Sequence, residues 1–209
     1  MTGWSVIKEA TVSPRPVNKD EKRAEILDAA IRVFARDGYH PTKIEDVARQ
    51  ARVAKGTIYL YFTSRDDILA AAFERFADEA LHGVRAIVEA DGPALDRLHA
   101  LVRAMVTGAT AEPELARIVF DFWAVRGPGT GTVDFARIYA EYRRLVAVLL
   151  DDAAAEGAVR PDVPEQTPAV LVGLVEGVLL QWLVDPAGVA AEPAARTATD
   201  LLLAGLAPR

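Results

Sequence analysis

Five residues between positions 55 and 65 (Lys55, Thr57, Tyr59, Tyr61 and Arg65) can each donate a hydrogen bond to an anionic oxygen, and Gly56 lets a surface come close. They lie in the stretch VAKGTIYLYFTSRDD, residues 53–67. Residues 43–65 hold five bases (Lys43, Arg49, Arg52, Lys55, Arg65) and two acids (Glu45, Asp46), a local charge of +3 on a chain of net charge −6. A local basic face on an acidic chain suits directed contact with phosphate better than blanket attraction. A second group is aromatic: Phe120, Trp123, Tyr139, Tyr142 and Trp182, with Arg143 and Gln181 beside them in the sequence. A concave aromatic lining with few polar groups is how proteins hold ring-containing molecules, and Arg143 or Gln181 could orient a polar substituent.

Other chemistry is excluded by residue type. The chain has no cysteine, which removes disulfides, thiol nucleophiles and cysteine-based metal sites together. The three histidines, His40, His82 and His99, show no metal-ligand spacing. The stretch GPGTGT at residues 127–132 lacks the lysine of a phosphate-binding loop and reads as a connector. No nucleophile–base pair stands out, so we assign no catalytic residue, metal or cofactor.

The elements that position these groups follow from hydrophobic spacing. Leu27, Ala30, Ile31 and Phe34 mark one face of a helix over residues 21–37, which Gly38 stops. Thr42 with Glu45 reads as a capping box, opening a short helix whose Ile44, Val47, Ala48 and Ala51 face one way. Ser64 with Asp67 opens a long helix over residues 65–89. Between them sits IYLYF, a run that by residue type would be a strand. No partner strand exists for it, and an unpaired strand leaves its backbone groups unsatisfied. As a helix capped at Ala54, it sends Ile58 and Phe62 inward, with Val53 and Ile58 placed as a hydrophobic staple. Lys55, Gly56, Tyr59 and, more obliquely, Leu60 and Tyr61 then face solvent. Two short helices joined by a tight turn, the second with such a face, make a helix-turn-helix.

The remainder predicts more helices, over residues 93–108, 112–126 and 133–156 and two near the C-terminus. About half of the 209 residues are hydrophobic, enough for a sizeable core. Residues 169–184 are apolar nearly all round, so one core cannot account for every face. Interrupted by Glu176 and Gln181, this run is expected to be too short and too polar to span a bilayer. Residues 1–18 carry no signal-peptide pattern and read as a mobile tail. The expectation is a soluble, cytoplasmic protein with no membrane contact.

Residues 22–69, KRAEILDAAIRVFARDGYHPTKIEDVARQARVAKGTIYLYFTSRDDIL, closely resemble the DNA-binding domain of the tetracycline-repressor (TetR) family of transcriptional regulators. The ordered motifs ILDAA, F-x-x-x-G-Y, T-x-I-x-x-V-A, K-G-T-I-Y-x-Y-F and S-x-D-D-I-L carry the match. The resemblance implies an all-α fold of about nine helices: a three-helix DNA-binding domain at residues 19–64, and a helical ligand-binding and dimerisation domain at 65–209. It implies contact with double-stranded DNA, a palindromic operator, by Thr42, Lys43, Arg52, Lys55, Gly56, Thr57, Tyr59, Leu60, Tyr61 and Arg65, with Thr57 and Leu60 nearest base edges. It implies a small-molecule effector among Phe120, Trp123, Tyr139, Tyr142, Arg143, Gln181 and Trp182. It further implies a homodimer through the last two helices, where Gly173, Gly177, Leu201 and Leu202 would lie.

Two positions depart from the family's pattern. Arg52 stands where a glycine is usual, and if its φ is positive the turn costs roughly 1 kcal/mol. Ala54 stands where serine usually caps the recognition helix, a loss of roughly 1 kcal/mol. The leading expectation is therefore a ligand-responsive repressor released from DNA by an apolar molecule. Two others compete with it: a helical binding protein whose helix-turn-helix has decayed at Arg52 and Ala54, and an α-helical enzyme using the aromatic cavity.

Overall fold

The computed structural model describes residues 18–39, 41–126 and 134–208, the side chains of residues 119 and 121–126 excepted. The tail expected over residues 1–18, apart from Asn18, lies outside this range, as do His40 and the connector at 127–132. Among the described residues there are nine helices and no strand. They are α1 (Lys19–Asp37), α2 (Ile44–Gln50), α3 (Lys55–Ile58), α4 (Arg65–Glu89), α5 (Ala94–Ala111), α6 (Pro113–Arg126), α7 (Phe135–Ala155), α8 (Thr167–Val184) and α9 (Ala191–Ala204). The all-α expectation holds.

Local chemistry sets most boundaries. The Asn18 side chain accepts from the Asp20 amide and opens α1, and Gly38, at φ 81°, closes it. At α4 the Ser64 hydroxyl accepts from the Asp67 amide at 3.0 Å, while the Asp67 carboxylate accepts from the Thr63 amide at 2.7 Å. The capping box expected from Thr42 and Glu45 is not what forms. The N-cap is Lys43, one residue later, so the third helical position is Asp46, whose carboxylate accepts from the Lys43 amide at 3.0 Å. Thr42 turns inward and donates to the Gly38 carbonyl. The run IYLYF is not a strand, but the helix expected to reach Phe62 ends earlier: α3 is one turn that stops at Ile58, and the rest of the run is turn. The Tyr61 and Phe62 amides then donate to the Ile58 carbonyl and carry the coil onward.

Two apolar clusters organise the chain. The first joins Ile26, Leu27, Ala30 and Phe34 of α1 to Val47 and Ala48 of α2, to Ile58 and Phe62, and to residues 68–72 and Ala77 of α4. Ile118 of α6 and Ile138 of α7 complete it. The second joins Leu81, Val84 and Val88 of α4 to α5, α7, α8 and α9. Burying one large apolar side chain such as Phe62 or Leu101 contributes about 1.5–3 kcal/mol. Helix α4 thus belongs to both clusters and is the element between them.

Helix α8 extends two residues earlier than the spacing suggested, and by length and composition alone it could cross a bilayer, contrary to the sequence expectation. One side of it packs on α5, α7 and α9, burying Leu171, Val172 and Val175. Val170, Leu174, Leu180 and Val184 are exposed along the other side. Four, six and four residues apart, they fall within about 120° around the helix and make one stripe, not scattered exposure.

The turn between α2 and α3 carries Arg52 at φ 57°, the one non-glycine residue with positive φ among the described residues. An L-residue there crowds its Cβ against the backbone, and glycine does not. Arg52→Gly is expected to raise stability by roughly 1 kcal/mol, which in a chain of this size is a melting-temperature rise of roughly 2–4 °C. Equal or lower melting by calorimetry would show that the arginine side chain compensates for the strain.

Candidate functional site

The surface formed by α2, the turn and α3 brings most of the sequence-selected polar residues onto one exposed segment. Lys43, Arg52, Lys55 and Gly56 are exposed, Tyr59 is 50% exposed and Leu60 79%. A side chain added at Gly56 would meet nothing within 4 Å, so the backbone there is open to an approaching surface. Thr57 and Tyr61 are half-buried, with Tyr61 packed against the first cluster. Thr42 is 2% exposed and its hydroxyl is already committed to the Gly38 carbonyl at 2.7 Å.

Arg65 has a structural position between these extremes. Its guanidinium donates to the carbonyls of Tyr39 at 3.1 Å and Thr42 at 3.0 Å, and stacks 4.2 Å from the Tyr39 ring centre. The Tyr39 hydroxyl in turn bonds the Asp66 carboxylate. A planar guanidinium can do all this at once, whereas an ammonium cannot. The start of α4 is thereby tied to the turn between α1 and α2.

Lys55 does not stand alone. Its ammonium lies 2.7 Å from the Glu45 carboxylate, which comes from α2. Their hydrogen bond holds Lys55 above the usual lysine range and Glu45 below the usual carboxylate range. Both groups are solvent-exposed, so this pair orients the lysine and adds little to stability.

A separate cavity of about 430 Å³ opens between α4, α5, α6, α7 and α8. Four of the sequence-selected residues line it: Phe120, Tyr139, Tyr142 and Trp182. The Trp123 side chain lies outside the described residues. Arg143 and Gln181 do not line it, a correction to the expectation. Each follows or precedes a lining residue by one position, and one step around a helix is about 100°. That step leaves Arg143 exposed beside Tyr142, and Gln181 exposed beside Trp182 with its amide donating to the Gly177 carbonyl.

Sequence reasoning missed Phe73, Phe76, Met105 and Phe135 in the lining, and above all Glu176. Among the described lining residues Glu176 is the sole charged group. Burial raises its carboxyl above the usual range, while a hydrogen bond from Tyr139 and the more distant charge of Arg143 oppose the rise. Burial and the same carboxylate push the Tyr139 hydroxyl up, and burial takes Tyr142 to about 12. The signal was present in the sequence as the acid interrupting the apolar run. What it faces was not.

At the proposed subunit surface, Gly173 is exposed and Leu201 is 71% exposed. Gly177 is half-buried and also lines the cavity, and Leu202 packs against the second cluster. Of the histidines, His99 bonds the Leu95 carbonyl and Asp200, and His82 is exposed. No metal-holding group of side chains occurs among the described residues.

The comparisons with known proteins agree with this geometry. Residues 26–72 match the family of bacterial regulatory proteins described as tetR, and residues 94–207 match the C-terminal family of BetI-type transcriptional repressors. The chain is 24% identical over 169 residues to the nicotine-responsive transcriptional repressor HdnoR of Paenarthrobacter nicotinovorans, covering 79% of this chain and 86% of that one. Against the fatty acid metabolism regulator protein of Bacillus subtilis, identity is 48% over 56 residues, 27% of this chain and 29% of that one. A crystal structure of the regulator FadR from Bacillus subtilis with stearoyl-CoA has the same fold, with a TM-score of 0.70 at 20% identity, covering 88% of this chain and 98% of that one.

Glu176 also makes a pH prediction. Unfolded, its carboxyl ionises near 4.5, and in the fold it keeps its proton to higher pH. The native state therefore binds more protons above about 4.5, and stability falls as pH rises through the native pKa. Glu176→Gln keeps an acceptor for Tyr139 without the charge. It is expected to match the native chain in stability at about pH 4 and to exceed it at about pH 8, where the native carboxyl is ionised. Urea unfolding at the two pH values measures this, and parallel curves would refute it.

Proposed function

This chain belongs to the tetR family of bacterial regulatory proteins, and from that premise we propose that it is a repressor released from its operator by a small molecule in the α4–α8 cavity. As a regulator of this family it binds operator DNA as a dimer and responds to small-molecule effectors. The proposal adds which residues do so. Lys55 and Tyr59, with Lys43 and Arg52 nearby, hold phosphates, and Leu60 and half-buried Thr57 lie nearest base edges, a reading that the exposure of all but Thr57 supports. Lys55 must trade Glu45 for a phosphate oxygen on binding. Thr42 and Arg65 contribute by fixing the turn that carries this surface. The boundaries proposed remain residues 19–64 for DNA contact and 65–209 for effector binding and dimerisation. No catalytic role is assigned, and the protein is placed with its operator in the cytoplasm.

One observation carries the release mechanism. Phe73, Ala77, Phe135, Ile138 and Tyr142 line the cavity and also pack in or against the cluster that holds α1, α2 and α3. A molecule that fills the cavity therefore presses on the base of the DNA-binding helices through α4 and α7. Shifting α4 moves the two recognition segments of a dimer away from a separation of about 34–36 Å, one turn of the duplex. Binding alone is not enough, because a ligand with equal affinity for both states shifts nothing.

The nicotine response of one relative supports a small ring-bearing ligand. The test uses an operator selected from random DNA and a compound retrieved by quenching of tryptophan fluorescence. Operator is expected to weaken that compound's binding by about 5- to 150-fold, the same factor by which the compound weakens operator binding. Equal affinities with and without operator would overturn the proposal.

The exposed stripe Val170, Leu174, Leu180 and Val184, with Leu201 from α9, is the surface we assign to the second subunit. Gly173 lies on it, and a side chain there meets nothing within 4 Å in the protomer. Gly173→Glu is expected to leave the protomer folded, to sediment as a monomer at micromolar concentration and to bind operator poorly. A surviving dimer would place the interface elsewhere.

A further inference from the structure

The cavity is apolar and aromatic except at one point, where Glu176 stands as the sole charged residue among the described lining residues. The Tyr139 hydroxyl lines the cavity with it and interacts with its carboxylate, and no basic side chain is among the described lining residues. Arg143, exposed on the outer side of α7, acts on it only through space. An ionised carboxylate has about four acceptor positions, more than one phenol can satisfy. From this arrangement we propose that the effector is an organic cation: an apolar, ring-bearing molecule with a protonated amine that pairs with Glu176. The inference rests on the cavity being the effector site.

The three charge classes of ligand fare differently here. An anionic head would meet Glu176 with no cation among the described lining residues to offset it, and like charges in a low-dielectric site repel strongly. A neutral apolar ligand would strip water from the carboxylate and return no donor. A protonated amine supplies the missing donors in a charge-assisted bond, and the faces of Tyr139, Tyr142 and Trp182 are available to its positive charge. The apolar walls, including Phe73 and Phe120, take the rest of the molecule. Glu176 also lies on α8, whose outer side carries the apolar stripe, so the paired amine would touch a helix that the dimer shares.

The probes are a matched set: 4-phenylbutylamine, 4-phenylbutanol and 4-phenylbutanoate, which at neutral pH are cationic, neutral and anionic on one frame. Isothermal titration with the full-length dimer is expected to rank them amine, alcohol, carboxylate. The amine should bind about tenfold or more tightly than the alcohol, as a charge-assisted hydrogen bond supplies. In Glu176→Gln the amine's advantage over the alcohol should vanish while the alcohol's affinity stays within about twofold. The wild-type ranking needs no variant and tests the inference even if the variant is unstable. Equal binding of amine and alcohol, or a preference that survives in Glu176→Gln, would overturn the cationic assignment and leave the cavity reading intact. Failure of all three probes to bind would overturn the cavity reading and this inference together.

Discussion

Helix α4 is a single rigid rod of 25 residues, about 37 Å long, and its two halves are buried in two different cores. Ile68 to Ala72 are locked among α1, α2 and α3, while Leu81, Val84 and Val88 are locked among α5, α7, α8 and α9. Between these ends Phe73, Phe76, Ala77 and Ala80 form one wall of the cavity. An uninterrupted helix cannot absorb a displacement by bending at low cost, since no glycine or proline breaks it in this middle section. Whatever pushes its middle must move an end. The arrangement converts occupancy of a small volume into the orientation of a distant surface.

That distant surface is built from weak materials. α3 has one regular turn, an alanine cap without a side-chain hydrogen bond, and β-branched or aromatic residues that are poor helix formers. Ile58 and Phe62 anchor it to the first core from beneath, so packing holds it more than its own helical hydrogen bonds do. The left-handed Arg52 sets its entry, and the Arg65 guanidinium fixes the neighbouring turn through two carbonyls and the Tyr39 ring. Local propensity was given up for an exposed face of tyrosine, lysine and glycine. The departures from ideal helix chemistry fall where a contact surface is needed, which is where such departures are expected.

The cavity repeats this exchange. Filling it with side chains would extend the second core, yet the chain keeps an apolar cavity of about 430 Å³ and places a carboxylate in its lining. A cavity in a core lowers stability, as does the burial of an acid. Both defects sit against residues shared with the DNA-binding cluster. A ligand that repairs both gains binding energy from the repair, and it gains that energy in the state where the cavity is best formed.

The sequence alone determined whatever depends on near neighbours along the chain. Ser64 with Asp67 marked the start of α4 and Gly38 the end of α1, whereas the sign of φ at Arg52 was left conditional and the structure made it positive. Ile58 and Phe62 were assigned inward from spacing, and a strand at IYLYF was ruled out by the absence of a partner strand. These are local rules, acting over one or two turns. Tertiary structure decided which way each face was turned. A shift of one residue in the cap of α2 buried Thr42, and one step of about 100° put Arg143 and Gln181 outside a cavity lined by their neighbours. Helix α8 is the limiting case. It is apolar nearly all round, so spacing could not separate the side facing the core from those facing the cavity and solvent. Only the positions of α5, α7 and α9 did that, and they brought Glu176 to the cavity by the same constraint.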